Sequence, residues 1–325
     1  MPATPSTPPT SRPATDYTLE NWVSASDLAA PAREQLLKRI ETLPRLPSAV
    51  QQLLSQEFID RASSSELSKV VMSEPAVTAQ VLATVNSPLY KLRNPVESIG
   101  QAITFLGVNQ VRAICIQRFL TKAFSSSDER VGLALDAVWH TNSAATLLLP
   151  KLVQAFRPAE PVALTSQIIL SFVGQLGVAA LMPPPSLGLW ARLDRILRCR
   201  MEERFLGINA TEVGALVLRG WGIPEPMVTA VGAIDRVLVT PANGLAAASA
   251  VQSAVGFLCV WMAEQLARGL GSSAASPWSP LNPDCIELRA WFSYLSLPGM
   301  REGADKMADE SLQALYQQIR SELAG

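Results

Sequence analysis

The sequence predicts an all-α fold. Apolar residues recur at three- and four-residue spacing in one segment after another. Period-two alternation with β-branched residues is almost absent. The periodic segments are punctuated by capping residues, glycines and prolines at positions where helices start and stop.

The elements follow in order. A helix over about 30–42 carries Leu36, Leu37 and Ile40 as its apolar stripe. Leu43-Pro44-Arg45-Leu46-Pro47 turns the chain into a short helix over 48–54. Ser63 and Glu66 form a capping box ahead of Leu67, Val70 and Val71. Ser73 and Pro75 open the next helix, an N-cap side chain and then a proline in the first turn, where its missing N–H costs nothing. Val77, Val81, Leu82 and Val85 form its apolar face. Asn86-Ser87-Pro88 ends it, because the residue before proline is pushed out of the α region. Tyr90 and Leu92 are apolar residues in the loop that follows, so that loop is expected to pack down. Pro95 and Ser98 start a helix with Ile99, Ala102, Ile103 and Leu106, which Gly107 ends. Asn109 is the expected cap of a helix bearing Val111, Ile114, Cys115 and Phe119, and Ser125 to Asp128 break the chain.

A long helix over about 129–149 contains Trp139 and His140, and the helix over 163–181 is the most apolar of the chain. After Pro183-Pro184-Pro185, an amphipathic helix over 187–205 carries Arg192, Arg195 and Arg198 at three-residue spacing among Asp194, Glu202 and Glu203. These arginines read first as a solvated helix face; the competing reading is a phosphate site. Short helices over 212–221 and 225–237 flank Gly222-Ile223-Pro224. A long helix over 245–266, a serine/proline loop over 271–283, and helices over 285–295 and 309–323 complete the chain. There is no internal repeat.

The 325 residues are 48% apolar, enough for a sizeable core in one large domain or two smaller ones. The net charge of −1, without a run of lysine and arginine, argues against nucleic acid as a partner and against an anionic membrane surface. Cys115, Cys199, Cys259 and Cys285 lie far apart with no C-x-x-C, so neither a zinc knuckle nor a disulfide framework is expected. Free thiols in a reducing cytoplasm are the expectation. Residues 1–16 are rich in proline, serine and threonine and are expected to be a disordered, removable tail. They lack the charged region and apolar run of a secretory signal. The uncharged stretches 161–191 and 241–263 are long enough to span a membrane. The first is broken by Gly174, Gly177 and the proline run, and the second holds Ser249, Gln252 and Ser253, so both are expected as buried bundle helices, with no integral membrane span.

The stretch 74–107 resembles the signature half of the HDOD family, a bacterial signalling module related to HD-type metal-dependent phosphohydrolases. The matching residues are Glu74-Pro75-Ala76, Asn86-Ser87, Tyr90, and Ser98-Ile99 with Gln101-Ala102-Ile103 and Leu106-Gly107, preceded by the Leu-Pro-x-Leu-Pro element. Further on, Gly214, Trp221-Gly222 and Pro224 continue the likeness, which covers about residues 35–300. The resemblance implies a two-lobed helical domain over 17–325, with an N-terminal lobe over 17–125 and an HD-like lobe over 126–325.

In HD phosphohydrolases, histidines and a His-Asp doublet hold one or two metal ions. Such ligands lower the pKa of a bound water until it becomes a nucleophile at neutral pH. This chain contains one histidine, which excludes a multi-histidine site. By the resemblance, Gly174 stands in the histidine slot of the doublet and Gln175 in the aspartate slot. Ala210 stands where a histidine is frequent, and Ile234-Asp235 where a His-His pair follows the Trp-Gly-x-Pro turn. His140 is in the position resembling the family's Trp-x-His-Ser helix. No metal, no cofactor and no catalytic residue is therefore expected, and no Gly-x-Ser-x-Gly or P-loop is present.

The candidate binding residues are Asn86, Ser87, His140 and Gln175. Asn86, Ser87 and His140 each have a structural reading beside the binding one. Asn86-Ser87 reads first as a helix stop whose side chains bond loose backbone groups. His140 reads first as a core histidine beside Trp139 at a lobe interface, oriented by Asp136 one turn earlier. The resemblance implies a cytoplasmic, non-catalytic regulatory or output module that acts through contacts with bacterial signalling proteins. The alternatives are a metal-free nucleotide- or phospho-ligand-binding remnant of an HD phosphohydrolase, and a peripheral-membrane scaffold.

Overall fold

The computed structural model describes residues 22–55, 57–58, 63–90, 92–242, 247–269, 285–307 and 310–323. The tail over 1–16 and the loop over 271–283 lie outside them. The described residues contain helices and no strand. The α-helices are α1 (Ala30–Ile40), α2 (Ser48–Leu54), α3 (Ser64–Met72), α4 (Pro75–Val85), α5 (Ile99–Leu106), α6 (Val108–Ala123), α7 (Glu129–Phe156), α8 (Pro161–Leu181), α9 (Pro184–Trp190), α10 (Arg195–Leu206), α11 (Ala210–Gly220), α12 (Glu225–Arg236), α13 (Ala247–Ala267), α14 (Met300–Lys306) and α15 (Glu310–Leu323).

Most boundaries follow from local chemistry, and several correct the sequence reading. The capping box of Ser63 and Glu66 is formed at α3. Ser73 does not open α4; it closes α3, its hydroxyl donating to the Val70 carbonyl, and Glu74 takes the N-cap position before Pro75. Asn109 does not cap α6 but lies inside it, because the helix starts directly after Gly107, whose φ of +81° only glycine adopts without strain. α7 runs through Pro150 to Phe156 rather than stopping near residue 149. A proline inside a helix costs ~3 kcal/mol. Leu152 and Phe156 beyond it are buried, each contributing about 1.5–3 kcal/mol, which outweighs that cost. The helix expected over 187–205 is two helices, since Asp194 accepts a hydrogen bond from the Leu197 N–H and starts α10 anew. The helix expected over 285–295 is a pair of 3-10 turns, Ile286–Leu288 and Trp291–Ser296, followed by the unforeseen α14.

α8 is the axis of the protein. Every residue from Ser166 to Ala179 is buried. α7, α11, α12, α6 and α13 pack around it. This burial explains why α8 and α13 are long and apolar enough to cross a membrane: 83% and 78% of their most apolar windows are covered by other helices. These two helices also bury polar side chains, Gln175 of α8 and Glu264 of α13 among them.

The N-terminal segment packs onto the C-terminal half. The Trp221 indole N–H donates to the Pro44 carbonyl at 2.9 Å, Arg39 donates to the Leu181 carbonyl, and Leu43 lies against Gly177. At the other end, Gln318 of α15 donates to the Pro88 carbonyl. One continuous hydrophobic core joins these parts.

Candidate functional site

α10 turns Arg195 and Arg198 inward, one helical turn apart. They are 5% and 9% exposed, which overturns the solvated-face reading for these two, while Arg192, ahead of α10, is exposed. Buried carboxylates receive them. Arg195 Nη2 donates to Asp235 Oδ1 of α12 at 2.9 Å, and its Nε lies 3.1 Å from Glu264 Oε2 of α13. Arg198 donates to Glu264 Oε1. The Arg195 backbone N–H donates to Glu287 at 2.9 Å, and Glu287 also accepts from the Trp261 indole and lies near Arg268. Glu202 accepts from the Trp190 indole and the Ala210 N–H, both at 2.7 Å.

The electrostatics decide the protonation states. Burial pushes the Glu264 carboxyl up, but Arg195, Arg198 and Arg268 outweigh it and hold its pKa at about 2. Burial lowers the Arg195 guanidinium, and Glu264 and Asp235 more than reverse that. Glu202 goes the other way: burial raises it, and Arg198 only partly compensates. The cluster is a mutually neutralising set of charges rather than an exposed basic patch.

Gln175, Ala210 and Asp235, which the sequence likeness places at ligand positions, line one cavity together with Trp22, Arg195, Arg198, Cys199, Glu202 and Thr211. The cavity measures about 20 Å³, room for one water molecule. Arg195 Nη1 and Trp22 Nε1 are buried there without a hydrogen-bond partner, and both are donors such a water would satisfy. A second cavity of about 50 Å³ lies on the far side of Gln175, lined by Thr141, Trp190, Arg198, Glu264 and Arg268. Gln175 itself donates to Glu264 Oε1 at 3.2 Å. Trp22, half-buried, lines the first cavity, with the Arg236 guanidinium 5.5 Å over its ring.

The four candidate residues separate. Gln175 belongs to the cluster. Asn86 and Ser87 lie elsewhere, at the end of α4. The Asn86 amide donates to the Val96 carbonyl at 2.8 Å and accepts from the Val96 N–H at 2.7 Å, clamping the loop across ten residues. Tyr90 and Leu92 pack against the core, as expected. His140 corrects the sequence reading: it is exposed, so it is neither a core histidine nor at a buried interface. A helix turns about 100° per residue, so its neighbour Thr141 faces inward instead and lines the second cavity. Counted from Trp139, the histidine of a Trp-x-His-Ser pattern also falls on Thr141.

Sequence reasoning missed Glu264, Glu287, Thr211 and Trp22. Glu264 had a legible signal. It is the one acid in the apolar run over 247–267, and a buried acid requires a cationic partner.

These helices around a central α8, with a cleft between α8 and the α10–α13 layer, define the class of HD-like helical proteins. The HDOD domain profile matches residues 43–237. The chain belongs to the HDOD family. Solved structures show the same fold at low identity. An HDOD domain protein with unknown function from Geobacter sulfurreducens aligns over 88% of this chain and 98% of its own, with 17% identity and a TM-score of 0.57. A protein from Shewanella amazonensis SB2B, provisionally described as a metal-dependent phosphohydrolase, aligns over 91% and 100%, with 18% identity and a TM-score of 0.51. A provisionally described signal transduction protein from Marinobacter aquaeolei VT8 aligns over 89% and 66%, with 20% identity and a TM-score of 0.50. No curated protein matches.

The residues of this cleft do not fit a catalytic metal. Gly174 has no ligand atom and no room for one, since a β-carbon there would lie 1.9 Å from the Ala210 carbonyl oxygen. Two guanidinium groups line the cavity, and like charge repels a cation there. Among the described residues, no three His, Cys, Asp or Glu side chains are grouped to hold a metal ion.

Proposed function

We propose that this protein is a non-catalytic regulatory or output module of bacterial signal transduction. It acts in the cytoplasm through contacts with signalling proteins, and its two long apolar helices serve as core rather than as membrane spans. The closed cleft carries this reading. Where a hydrolase needs a metal, a nucleophilic water and space for a phosphate ester, this chain has a neutralised arginine–carboxylate cluster and room for one water. A fold that keeps its architecture while its cleft is filled presents surfaces, not chemistry.

The rival reading, a phospho-ligand-binding remnant, has one observation in its favour: Arg195 and Arg198 do line the cleft. Both are already engaged by buried carboxylates, so a phosphate would compete with Glu264 and Asp235 for them.

The test has two arms. Purified protein is assayed with p-nitrophenyl phosphate and its bis-ester, with and without manganese, and is used as bait in the native bacterium. The expected result is no hydrolysis above a cleft variant such as Glu264→Gln, and specific recovery of a signalling protein. Hydrolysis abolished by that variant would overturn the reading.

A further inference from the structure

Five helices meet through one guanidinium. Nε and Nη2 of Arg195 share one edge of the group and engage two carboxylates side by side, Glu264 of α13 and Asp235 of α12. Thr211 of α11 donates its hydroxyl to the other Asp235 oxygen at 2.8 Å. Gln175 of α8 donates to Glu264. Arg195 itself comes from α10. Two carboxylates from different helices, each steadied by a further donor, converge on one positive centre, and facing carboxylates are the ligands a hard divalent cation takes. Here the centre is covalently part of the chain.

We propose that the Arg195 guanidinium is the resident cation of this cleft, holding Asp235 and Glu264 together as a divalent ion would and keeping such ions out. The placement argues for this against an ordinary ion pair. Arg195 lines the same cavity as Gln175, Ala210 and Asp235, and all nine-tenths or more of it is buried. Its charge is matched by two carboxylates rather than one. Glu264 keeps a second cation, Arg198, but Asp235 relies on Arg195 for its ion pair. Without the guanidinium, two acids would be left adjacent and undercompensated, with a space between them into which a small cation fits. The proposal is independent of which partner the protein serves, because it concerns what holds the cleft closed.

Arg195→Ala in the full chain tests it, with manganese(II) chloride as the probe. Wild type is expected to take up no manganese by titration calorimetry, and its melting temperature is expected to stay the same in manganese or chelator. Arg195→Ala is expected to melt lower, to bind about one equivalent, and to regain part of the lost melting temperature when it does. Adding Glu264→Gln to Arg195→Ala should abolish both the binding and the regain. With folded protein, three results would overturn the proposal: an Arg195→Ala that ignores manganese, a double variant that binds as well as the single one, or stoichiometric binding by wild type. If Arg195→Ala does not fold in buffer, it is refolded with and without manganese. Recovery only with the metal supports the proposal, and failure in both conditions overturns it.

Discussion

The carbonyl oxygen of Ala210 fills the space into which a side chain at Gly174 would grow; a β-carbon there would lie 1.9 Å from it. The backbones of α8 and α11 touch at this point, with a β-carbon at Gly214 also tight, 3.1 Å from the Gly174 Cα. The close crossing and a side chain at residue 174 are mutually exclusive. Gly174→Ala must push two buried helices apart and is expected to destabilise by at least about 1–3 kcal/mol, against the small gain alanine brings to an unobstructed helix. Denaturant melts measure it; an unchanged or raised midpoint would show that the crossing is loose.

Much of this was legible beforehand, and the parts that were not share a cause. The helices with clear apolar periods, such as α4 with Val77, Val81 and Val85, fell where their spacing put them. The cap residues Ser63 and Ser98 start the helices they were read to start, and Asp128, read only as part of a chain break, caps α7. The site was harder. Arg195 and Arg198 look like a solvated face because their spacing carries no information about what they meet. Their partners lie 40 and 69 residues away from Arg195 in sequence, and only the packing of α12 and α13 brings them in. His140 was misplaced by a single residue on a helix, and a 100° error is enough to exchange core for solvent.

Glu264 should make stability depend on pH in a defined window. Its carboxyl falls from an ordinary 4.5 to about 2 in the folded protein, so its contribution is present above about 4.5 and is lost as pH falls towards 2. Glu202 opposes this, because a carboxyl raised by burial is relieved when it protonates. Glu264→Gln isolates the first effect. It leaves Arg195 and Arg198 undercompensated and should cost about 3–5 kcal/mol at neutral pH. The gap between wild type and the variant should narrow as pH drops below about 4.5. Parallel curves down to the acid limb would mean that Glu264 is not the group titrating.

His140 and Asn142 should behave in opposite ways. His140 is exposed, and its replacement by alanine should change stability by less than about 0.5 kcal/mol. Asn142, two residues on, is fully buried and accepts from the Gln117 amide at 2.8 Å. Asn142→Ala strands that donor and should cost about 1–3 kcal/mol. Matched thermal melts of the two variants decide it, and a larger loss at His140 than at Asn142 would place the helix in the wrong rotation.

Asn86 should be irreplaceable for geometric rather than chemical reasons. Its amide supplies a donor and an acceptor to the same residue, Val96. Asn86→Asp keeps the acceptor and loses the donor, so it should retain part of the stability that Asn86→Ala loses, about 1–2 kcal/mol in total. If the two variants were equally unstable, the donor bond would carry the whole clamp.

Trp22 should control access to Cys199. Both line the small cavity beside Arg195, and a space of about 20 Å³ admits no alkylating reagent. The segment that carries Trp22 is held at several points. Arg236 stacks on the indole, the Val23 N–H bonds Glu203, and Leu28 lies against Gly207, which has no β-carbon to stand in its way. Burial, with Glu202 adding to it, pushes the Cys199 thiol well above the ordinary thiol range. Reaction at neutral pH is therefore slow on both counts. Trp22→Ala removes the cover but leaves the arginine–carboxylate cluster in place. Labelling of Cys199 by iodoacetamide should then rise several-fold, read by mass spectrometry of the peptide, while Cys285, which does not line this cavity, serves as the internal reference. A rate that rises equally at both cysteines would indicate general loosening, and an unchanged rate at Cys199 would show that the cluster beneath, not the indole, closes the cleft.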